Sequence, residues 1–184
     1  MDNAEYERRI AARFAVFDQD GNGAIDREDF TSAARGVLAE FGTTPRSDRG
    51  QAVLIGAEAF WQGMAGIADV DGDQRVTREE FLTGAVKRLH DNPERFAEIA
   101  RPFLHAVIAV AEPDGAAAGV TPAAVARTLR VFGIVPELAE RVAAQLGSDG
   151  AGDGAGDGDG RISEERIVRA FAGYCGSLEV GPTG

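Results

Sequence analysis

A stretch of twelve residues, Asp18–Asp29, places oxygen-bearing side chains at alternate positions of its first half. These are Asp18, Asp20 and Asn22, and Gly23 follows them. A calcium ion held in a loop between two helices takes oxygens from loop positions one, three, five, seven, nine and twelve, and position six needs glycine for a sharp turn. The spacing therefore predicts a divalent-cation site with a helix on each side.

The ligands predicted for this first loop are side-chain oxygens joined by one backbone carbonyl. In chain order they are Asp18, Asp20, Asn22, Ala24 through its carbonyl, Asp26 and Asp29. Apolar residues recur at helical spacing around the loop, as Phe14 and Phe17 before it and Phe30 and Ala34 after it. The flanking helices favour a metal site over the alternative interpretation, an acidic turn exposed to solvent.

A second loop, Asp69–Glu80, repeats the first in register, and Phe81 follows it as Phe30 follows the first. Its predicted ligands are Asp69, Asp71, Asp73, Arg75 through its carbonyl, Thr77 and Glu80. Repetition of a helix, an acidic loop and a helix indicates a repeated structural unit. We therefore expect two Ca²⁺ sites in the first half of the chain.

The two loops depart from the calcium pattern in opposite ways. Gln74 occupies position six of the second loop, where a residue with a side chain costs about 1–2 kcal/mol in the left-handed conformation. Asp29 closes the first loop with a side chain one methylene shorter than that of Glu80. Binding through a single oxygen lowers the coordination number toward about six, which Mg²⁺ prefers. We therefore expect the first site to distinguish Ca²⁺ from Mg²⁺ less well than the second.

Two further loops of the same kind are expected in the second half, and both are eroded. In the third, residues 112–122, Asp114 is the only aspartate. Positions five and twelve fall on alanine or another non-ligand, whether Val120 is placed at position eight or Glu112 at position one. We therefore interpret the third unit as one retained for packing.

The fourth loop is rich in glycine and aspartate. With Ile162 at position eight, positions three and five fall on Asp157 and Asp159. Position one is then Ala155 and position twelve is Arg166. A guanidinium group offers no lone pair to a cation, so the loop lacks its closing ligand.

A third ion in the fourth loop nevertheless stays open as an alternative. Asp149 and Asp153 precede the aligned positions and could fold back in a longer loop. Glu165 could close the loop after a shift of one residue. The sequence leaves undecided whether Asp149–Asp159 binds an ion weakly.

These features together resemble the calerythrin and sarcoplasmic calcium-binding protein family of prokaryotic type, whose members are EF-hand proteins. The resemblance rests on four such units in this length, an opening loop reading Asp-Gln-Asp-Gly-Asn-Gly-Ala-Ile-Asp and a long spacer before the second loop. It implies an all-α, compact globule with four EF-hand helix-loop-helix units in two pairs. It also implies short β pairings between loops, around Ile25 and Val76 and around Val120 and Ile162.

The predicted division of the chain is an N-terminal EF-hand pair, residues 1–92, and a C-terminal pair, residues 93–184. Pro93 marks the boundary because proline ends one helix and suits the first turn of the next. Within the first pair, residues 42–51 indicate a linker through their turn-forming side chains. Helices are predicted over residues 4–17, 27–41, 52–68, 78–90 and 96–111.

The charge of the chain restricts its partners. Its 30 acidic and 19 basic residues give a net charge of -11, which repels nucleic acids and anionic membranes. Metal ions are the expected partners. The chain has one cysteine, no apolar run of membrane-spanning length and no signal-peptide pattern. We therefore expect a monomer in the cytoplasm.

The sequence predicts no enzymatic activity. Its two histidines are His90 and His105, and His105 falls in an apolar helix, where a hydrogen-bonded core residue is the commoner role. Cys175 has no histidine close to it in sequence. These residues therefore give no basis for a catalytic site.

A calcium buffer or transporter is the expected role, with a sensor that regulates an unknown protein target as the alternative. A sensor exposes a groove, commonly rich in methionine, when it binds calcium. This chain has two methionines, Met1 and Met64. The family resemblance also implies cytosolic buffering or transport more than target regulation.

Overall fold

The computed structural model describes residues 3–86, 93–113, 119–148 and 160–176. The helices of the first half are α1 (Asn3–Phe17), α2 (Arg27–Glu40), α3 (Asp48–Ala68) and α4, which is Arg78–Glu80 continued by a π-helix over Phe81–Val86. Those of the second half are α5 (Pro93–Ala111), α6 (Pro122–Val131), α7 (Pro136–Ser148) and α8 (Glu164–Gly176). Two short strands, β1 (Ala24–Asp26) and β2 (Arg75–Thr77), complete the described elements. The predicted all-α class is confirmed.

Local capping explains where the helices around the first loop begin. The Asp26 side chain accepts a hydrogen bond from the Glu28 amide and Asp29 accepts one from the Asp26 amide, forming a capping box at the start of α2. The predicted linker over residues 42–51 was too long, because α3 begins at Asp48. The Ser47 hydroxyl caps that helix by accepting a hydrogen bond from the Gly50 amide at 3.1 Å.

The loops meet in pairs through short antiparallel contacts, as predicted. In the first pair Ile25 lies opposite Val76, and both are fully buried. In the second pair Val120 lies opposite Ile162, with amide-to-carbonyl distances of 2.9 and 2.8 Å between them. Each pair therefore holds the later positions of its two loops against one another.

One hydrophobic cluster runs through both halves of the chain. The ring centroid of Phe60 on α3 lies within 6.3 Å of five other phenylalanine rings, those of Phe17, Phe30, Phe96, Phe103 and Phe171. Helices α3 and α5 pack so closely that a Cβ added at Gly56 would lie 2.8 Å from the Cα of Phe103. The core is therefore built jointly by residues before and after position 93.

No helix of the ranges described above is both long enough and apolar enough to cross a membrane.

Candidate metal centre

Three carboxylates converge in the first loop. Ligand atoms of Asp18, Asp20 and Asp29 all lie within 4.8 Å of one another. The Asn22 amide donates to Asp18 Oδ1 at 3.0 Å and to Asp20 Oδ1 at 2.9 Å, and the Gly23 amide donates to Asp18 Oδ2 at 3.1 Å. Gly23 adopts φ +90°, the turn expected at position six. The loop backbone thus curls around the two leading aspartates.

Asp29 reaches this group although its side chain is short. Its Oδ1 accepts a hydrogen bond from the Gln19 amide and its Oδ2 one from the Asp26 amide, each at 2.8 Å. The side chain ties the beginning of the loop to position nine, and the residue is 2% exposed. Burial raises the pKa of Asp29, against the lowering effect of these amides. A nearby dication would relieve that cost by stabilising the ionised form.

The remaining predicted residues of the first loop lie around the carboxylate group. Asn22 Oδ1 accepts hydrogen bonds from the Ala24 amide at 2.9 Å and from Arg75 Nη2 at 3.1 Å. Asp26 Oδ1 caps α2 through the Glu28 amide at 2.8 Å. Position nine often meets the ion through a water molecule, which fits a side chain already engaged in capping.

The second loop gathers a similar group in Asp69, Asp71 and Asp73, whose ligand atoms lie within 4.8 Å of one another. The Gln74 amide donates to Asp69 Oδ2 at 3.1 Å, and the Arg75 amide donates to Asp73 Oδ1 at 2.8 Å. Gln74 adopts φ +66°. The predicted strain at position six is therefore present in the backbone.

Glu80 closes the second loop by a different set of contacts and lies outside the group of three aspartates. Its Oε1 accepts from the Val70 amide at 3.0 Å, and its Oε2 accepts from the Thr77 amide at 2.9 Å and the Thr77 hydroxyl at 2.8 Å. The Thr77 hydrogen bonds are the main cause of a lowered pKa for Glu80. The carboxylate is therefore ionised and aligned with the loop ends.

The side chain of Arg75 is a feature of the site that the ligand pattern did not reveal. Only its carbonyl was predicted to matter, as a ligand of the second loop. Its guanidinium instead crosses to the first loop, where Nη2 donates to Asn22 and Nε lies 4.0 Å from Asp26 Oδ2. The register of the two strands could have indicated this contact, because Arg75 is the cross-strand partner of Asp26.

In the third unit a protein side chain supplies the charge that opposes Glu112. The Thr121 hydroxyl and amide donate to Glu112 Oε1 at 2.7 and 3.1 Å. Arg161 Nη1 lies 3.7 Å from Glu112 Oε2 and donates to the Gly119 carbonyl at 2.9 Å. These contacts agree with a unit retained for packing. Asp114 lies outside the described residues.

The described ends of the fourth unit are engaged with neighbouring helices. Arg166, at position twelve, donates from Nη1 to the Leu146 carbonyl of α7 at 3.1 Å. Glu165, the alternative closing residue, lies 3.3 Å from Arg101 Nη1 on α5. The aspartates of Asp149–Asp159 lie outside the described residues, so a third ion there stays a prediction.

Donor chemistry decides which ion fits the first two loops. Each offers carboxylate oxygens within a few ångströms of one another, and the Asn22 amide oxygen adds a neutral donor in the first. Hard cations such as Ca²⁺ and Mg²⁺ prefer oxygen ligands of this kind. The residues present therefore fit a divalent hard cation in either loop.

Comparisons with known proteins agree with this geometry. A family model described as an EF-hand domain pair matches residues 7–86. Calerythrin from Saccharopolyspora erythraea is 30% identical over 82 residues, which make up 45% of this chain and 46% of that protein. The matched region thus spans less than half the length of this curated relative.

Solved structures extend the likeness over nearly the whole chain. One of them is the structure of a Streptomyces coelicolor calcium-binding protein, reported as the structural basis for prokaryotic calcium-mediated regulation. It is 61% identical to this chain, and the match covers 93% of this chain and 98% of that chain with a TM-score of 0.84. Calcium-loaded apo-aequorin from Aequorea victoria is 16% identical, covers 99% of this chain and 96% of its own, and has a TM-score of 0.69. This second likeness shows the fold alone.

The chain belongs to the EF-hand calcium-binding proteins, and within them to the prokaryotic calerythrin type. The relatives identified above are calcium-binding proteins of a family that is generally non-enzymatic. The predicted family is therefore confirmed.

Proposed function

We propose that this protein binds two Ca²⁺ ions, one in the loop Asp18–Asp29 and one in the loop Asp69–Glu80. The observation that carries the proposal is the pair of three-carboxylate groups, each within 4.8 Å, held in adjacent loops by the β1–β2 pairing. Like charges so close repel one another without a counterion. A dication in each loop offsets that repulsion.

The proposed ligands are those expected from the loop positions. In the first loop they are Asp18, Asp20, Asn22, the Ala24 carbonyl, Asp26 and Asp29; in the second they are Asp69, Asp71, Asp73, the Arg75 carbonyl, Thr77 and Glu80. The bound ion supplies positive charge that neutralises the loop and draws its two ends together. Glu80 and Asp29 serve as the closing residues, because each already bonds amides at both ends of its loop.

We propose a calcium buffer as the role that the packing favours. Met64 is fully buried in the common core beside Phe60 and Trp61, instead of lining a surface groove. A core closed across both halves favours a protein that tightens around its ions. Residues 1–92 then form the metal-responsive half and residues 93–184 a supporting half, and we propose a cytosolic monomer.

A regulatory role is the second candidate, and a specific finding favours it. The Streptomyces coelicolor relative, 61% identical, is described in terms of calcium-mediated regulation. Titration of an apolar dye separates the two roles. Dye fluorescence that rises on adding Ca²⁺ supports a sensor that exposes a docking surface, whereas a fall or no change supports a buffer.

Isothermal titration of Glu80→Gln tests the two-site proposal. Wild type binds two ions, and we expect Glu80→Gln to bind one because the amide cannot supply a charged, two-oxygen closing ligand. Glu79→Gln is the matched control, since it removes the same charge from the neighbouring exposed residue. Two tight sites in Glu80→Gln, or none in wild type, would contradict the proposal.

The proposed metal preference needs a second titration. Repeating the calcium titration of Glu80→Gln in millimolar Mg²⁺ reports on the first site alone. In Asp29→Asn the first site is disabled, so the same titration reports on the second site. Competition from Mg²⁺ should weaken Ca²⁺ binding at the first site more than at the second. Equal weakening at the two sites would contradict the predicted difference in selectivity, and an unchanged Ca²⁺ affinity at the first site would remove Mg²⁺ as its occupant.

A further inference from the structure

Arg75 is shared between the two metal loops. Its amide and carbonyl belong to the second loop, where the carbonyl is a proposed ligand. Its side chain is directed to the first loop and contacts two proposed ligands there, Asn22 at 3.1 Å and Asp26 at 4.0 Å. The side chain is 48% exposed, so it is free to move when the first loop gains another cation.

The second EF-hand pair contains an arginine in the same place. Val76 and Ile162 are equivalent, because each pairs with the central residue of the preceding loop, and Arg75 and Arg161 immediately precede them. Arg161 also crosses to the preceding loop, where it lies 3.7 Å from the Glu112 carboxylate. An arginine at this position thus supplies positive charge to the partner loop in both pairs.

We propose that the Arg75 guanidinium is a resident counter-cation of the first loop that competes with Ca²⁺ and so sets a lower affinity at that site. The inference rests on the proposed function. In the third unit, which has lost its ligands, Arg161 faces no competing ion. In the first loop the ligands remain, and a metal must either displace the Arg75 guanidinium from Asn22 and Asp26 or bind beside its charge.

Repulsion between the guanidinium and a bound dication should lower the Ca²⁺ affinity of the first site by a measurable factor. A unit charge about 4–6 Å from a dication, in a medium close to water and screened by about 0.1 M salt, changes the affinity by about three- to tenfold. The Debye length shortens from about 10 Å in 0.1 M salt to about 3 Å in 1 M. Removing the charge should therefore tighten the first site at low salt and have much less effect at high salt.

The test isolates the first site in Glu80→Gln and compares calcium titrations with and without Arg75→Gln. Arg46→Gln is the control, because it removes the same charge from the α2–α3 connection, at the far end of those helices from the metal loops. Arg75→Lys keeps the charge. We expect Arg75→Gln to bind Ca²⁺ about three- to tenfold more tightly than the parent Glu80→Gln protein, whereas Arg46→Gln and Arg75→Lys should not. The difference in affinity should become smaller in about 0.5 M KCl.

The outcomes separate this inference from the proposed function. Unchanged or weaker binding in Arg75→Gln, or equal tightening in Arg46→Gln or Arg75→Lys, overturns the role of the Arg75 charge. Glu80→Gln with no bound calcium while Arg75 is intact contradicts the proposed first site instead. Circular dichroism of each variant confirms that the helices are retained.

Discussion

The two closing carboxylates, Asp29 and Glu80, hold their protons differently. Burial raises the pKa of Asp29, whereas hydrogen bonds from Thr77 lower that of Glu80. Without metal, the stability that protonated Asp29 contributes is lost as pH rises through its raised pKa. A bound dication favours the ionised form of Asp29 and so offsets that loss.

Acidification should therefore empty the first site before the second. As pH falls, the raised pKa of Asp29 brings its protonation on earlier than for an ordinary aspartate, whereas the lowered pKa of Glu80 delays its protonation. We therefore expect Asp29 to cease to be a good ligand first. Titrations at several pH values, with Glu80→Gln reporting the first site and Asp29→Asn the second, measure this order. Parallel loss of both sites would refute the assigned difference between the closing residues.

Gln74, at position six of the second loop, has a strained left-handed backbone. Gln74→Gly should tighten the second site by about five- to thirtyfold, because glycine removes about 1–2 kcal/mol of left-handed strain. Calcium titration of Gln74→Gly in the Asp29→Asn background checks it.

The reciprocal change, Gly23→Gln, is its matched control. A Cβ at Gly23 would meet no atom within 4 Å, so its φ of +90° leaves backbone strain as the main effect. The first site should weaken by a similar factor. Absent effects would show that the backbone strain at position six is the same with and without the ion, and opposite effects would contradict the strain argument.

Among the elements, the described ends of the third unit are joined by contacts between protein side chains. Thr121, at the start of α6, bonds Glu112 at the end of α5, and Arg161 adds its charge from the neighbouring loop. The Thr121 hydroxyl is the main cause of the lowered pKa of Glu112. Ionised Glu112 therefore stabilises the fold at neutral pH, and this contribution is lost as pH falls through its lowered pKa.

Glu112→Gln should lower stability by about 1–2 kcal/mol at neutral pH, equally in calcium and in chelator. The loss should begin to shrink below pH 4.5, the ordinary pKa of a glutamate, and become small once pH has fallen through the lowered pKa of Glu112, where the wild-type carboxylate is protonated as well. Thermal unfolding measures both effects, with Glu140→Gln on the exposed face of α7 as the control. A loss confined to the calcium-free state would mean that this unit senses the metal.

Sequence periodicity predicted the loops and most helices because these depend on local spacing. It missed the start of α3, where the Ser47 cap favours helix over the turn-forming residues that follow. It gave no indication of the π-helix over Phe81–Val86. The guanidinium contacts of Arg75 and Arg161 follow from loops far apart in sequence being paired, which a ligand pattern within one loop does not encode.

At the scale of the whole molecule, calcium acts on a protein with a shared core. Two dications would change the net charge from -11 to -7, since each carries two positive charges. Less repulsion and preferential binding to the folded state both raise the unfolding temperature. Because Phe60 contacts aromatic rings from both halves, we expect this stabilisation to extend beyond the loops that bind the ions.

Two glycines of α3 can be substituted to test whether the two halves are coupled through the contact of α3 with α5. A Cβ at Gly56 would lie 2.8 Å from the Cα of Phe103 and 3.1 Å from the Pro102 carbonyl oxygen, both backbone atoms. Gly56→Ala must therefore push the helices apart and should cost about 1–3 kcal/mol. At Gly66 the added Cβ meets nothing within 4 Å, so Gly66→Ala should gain up to about 1 kcal/mol through helix propensity.

Denaturant unfolding followed by Trp61 fluorescence and by far-ultraviolet circular dichroism measures both variants. Trp61 is 2% exposed on α3, whereas circular dichroism reports helices of both halves. A shared core requires the two signals to change together, in wild type and in Gly56→Ala, at a lower midpoint in the variant. Separate transitions would show that the halves unfold independently and that calcium stabilises only the first. A Gly56→Ala variant as stable as Gly66→Ala would contradict the close contact of α3 with α5.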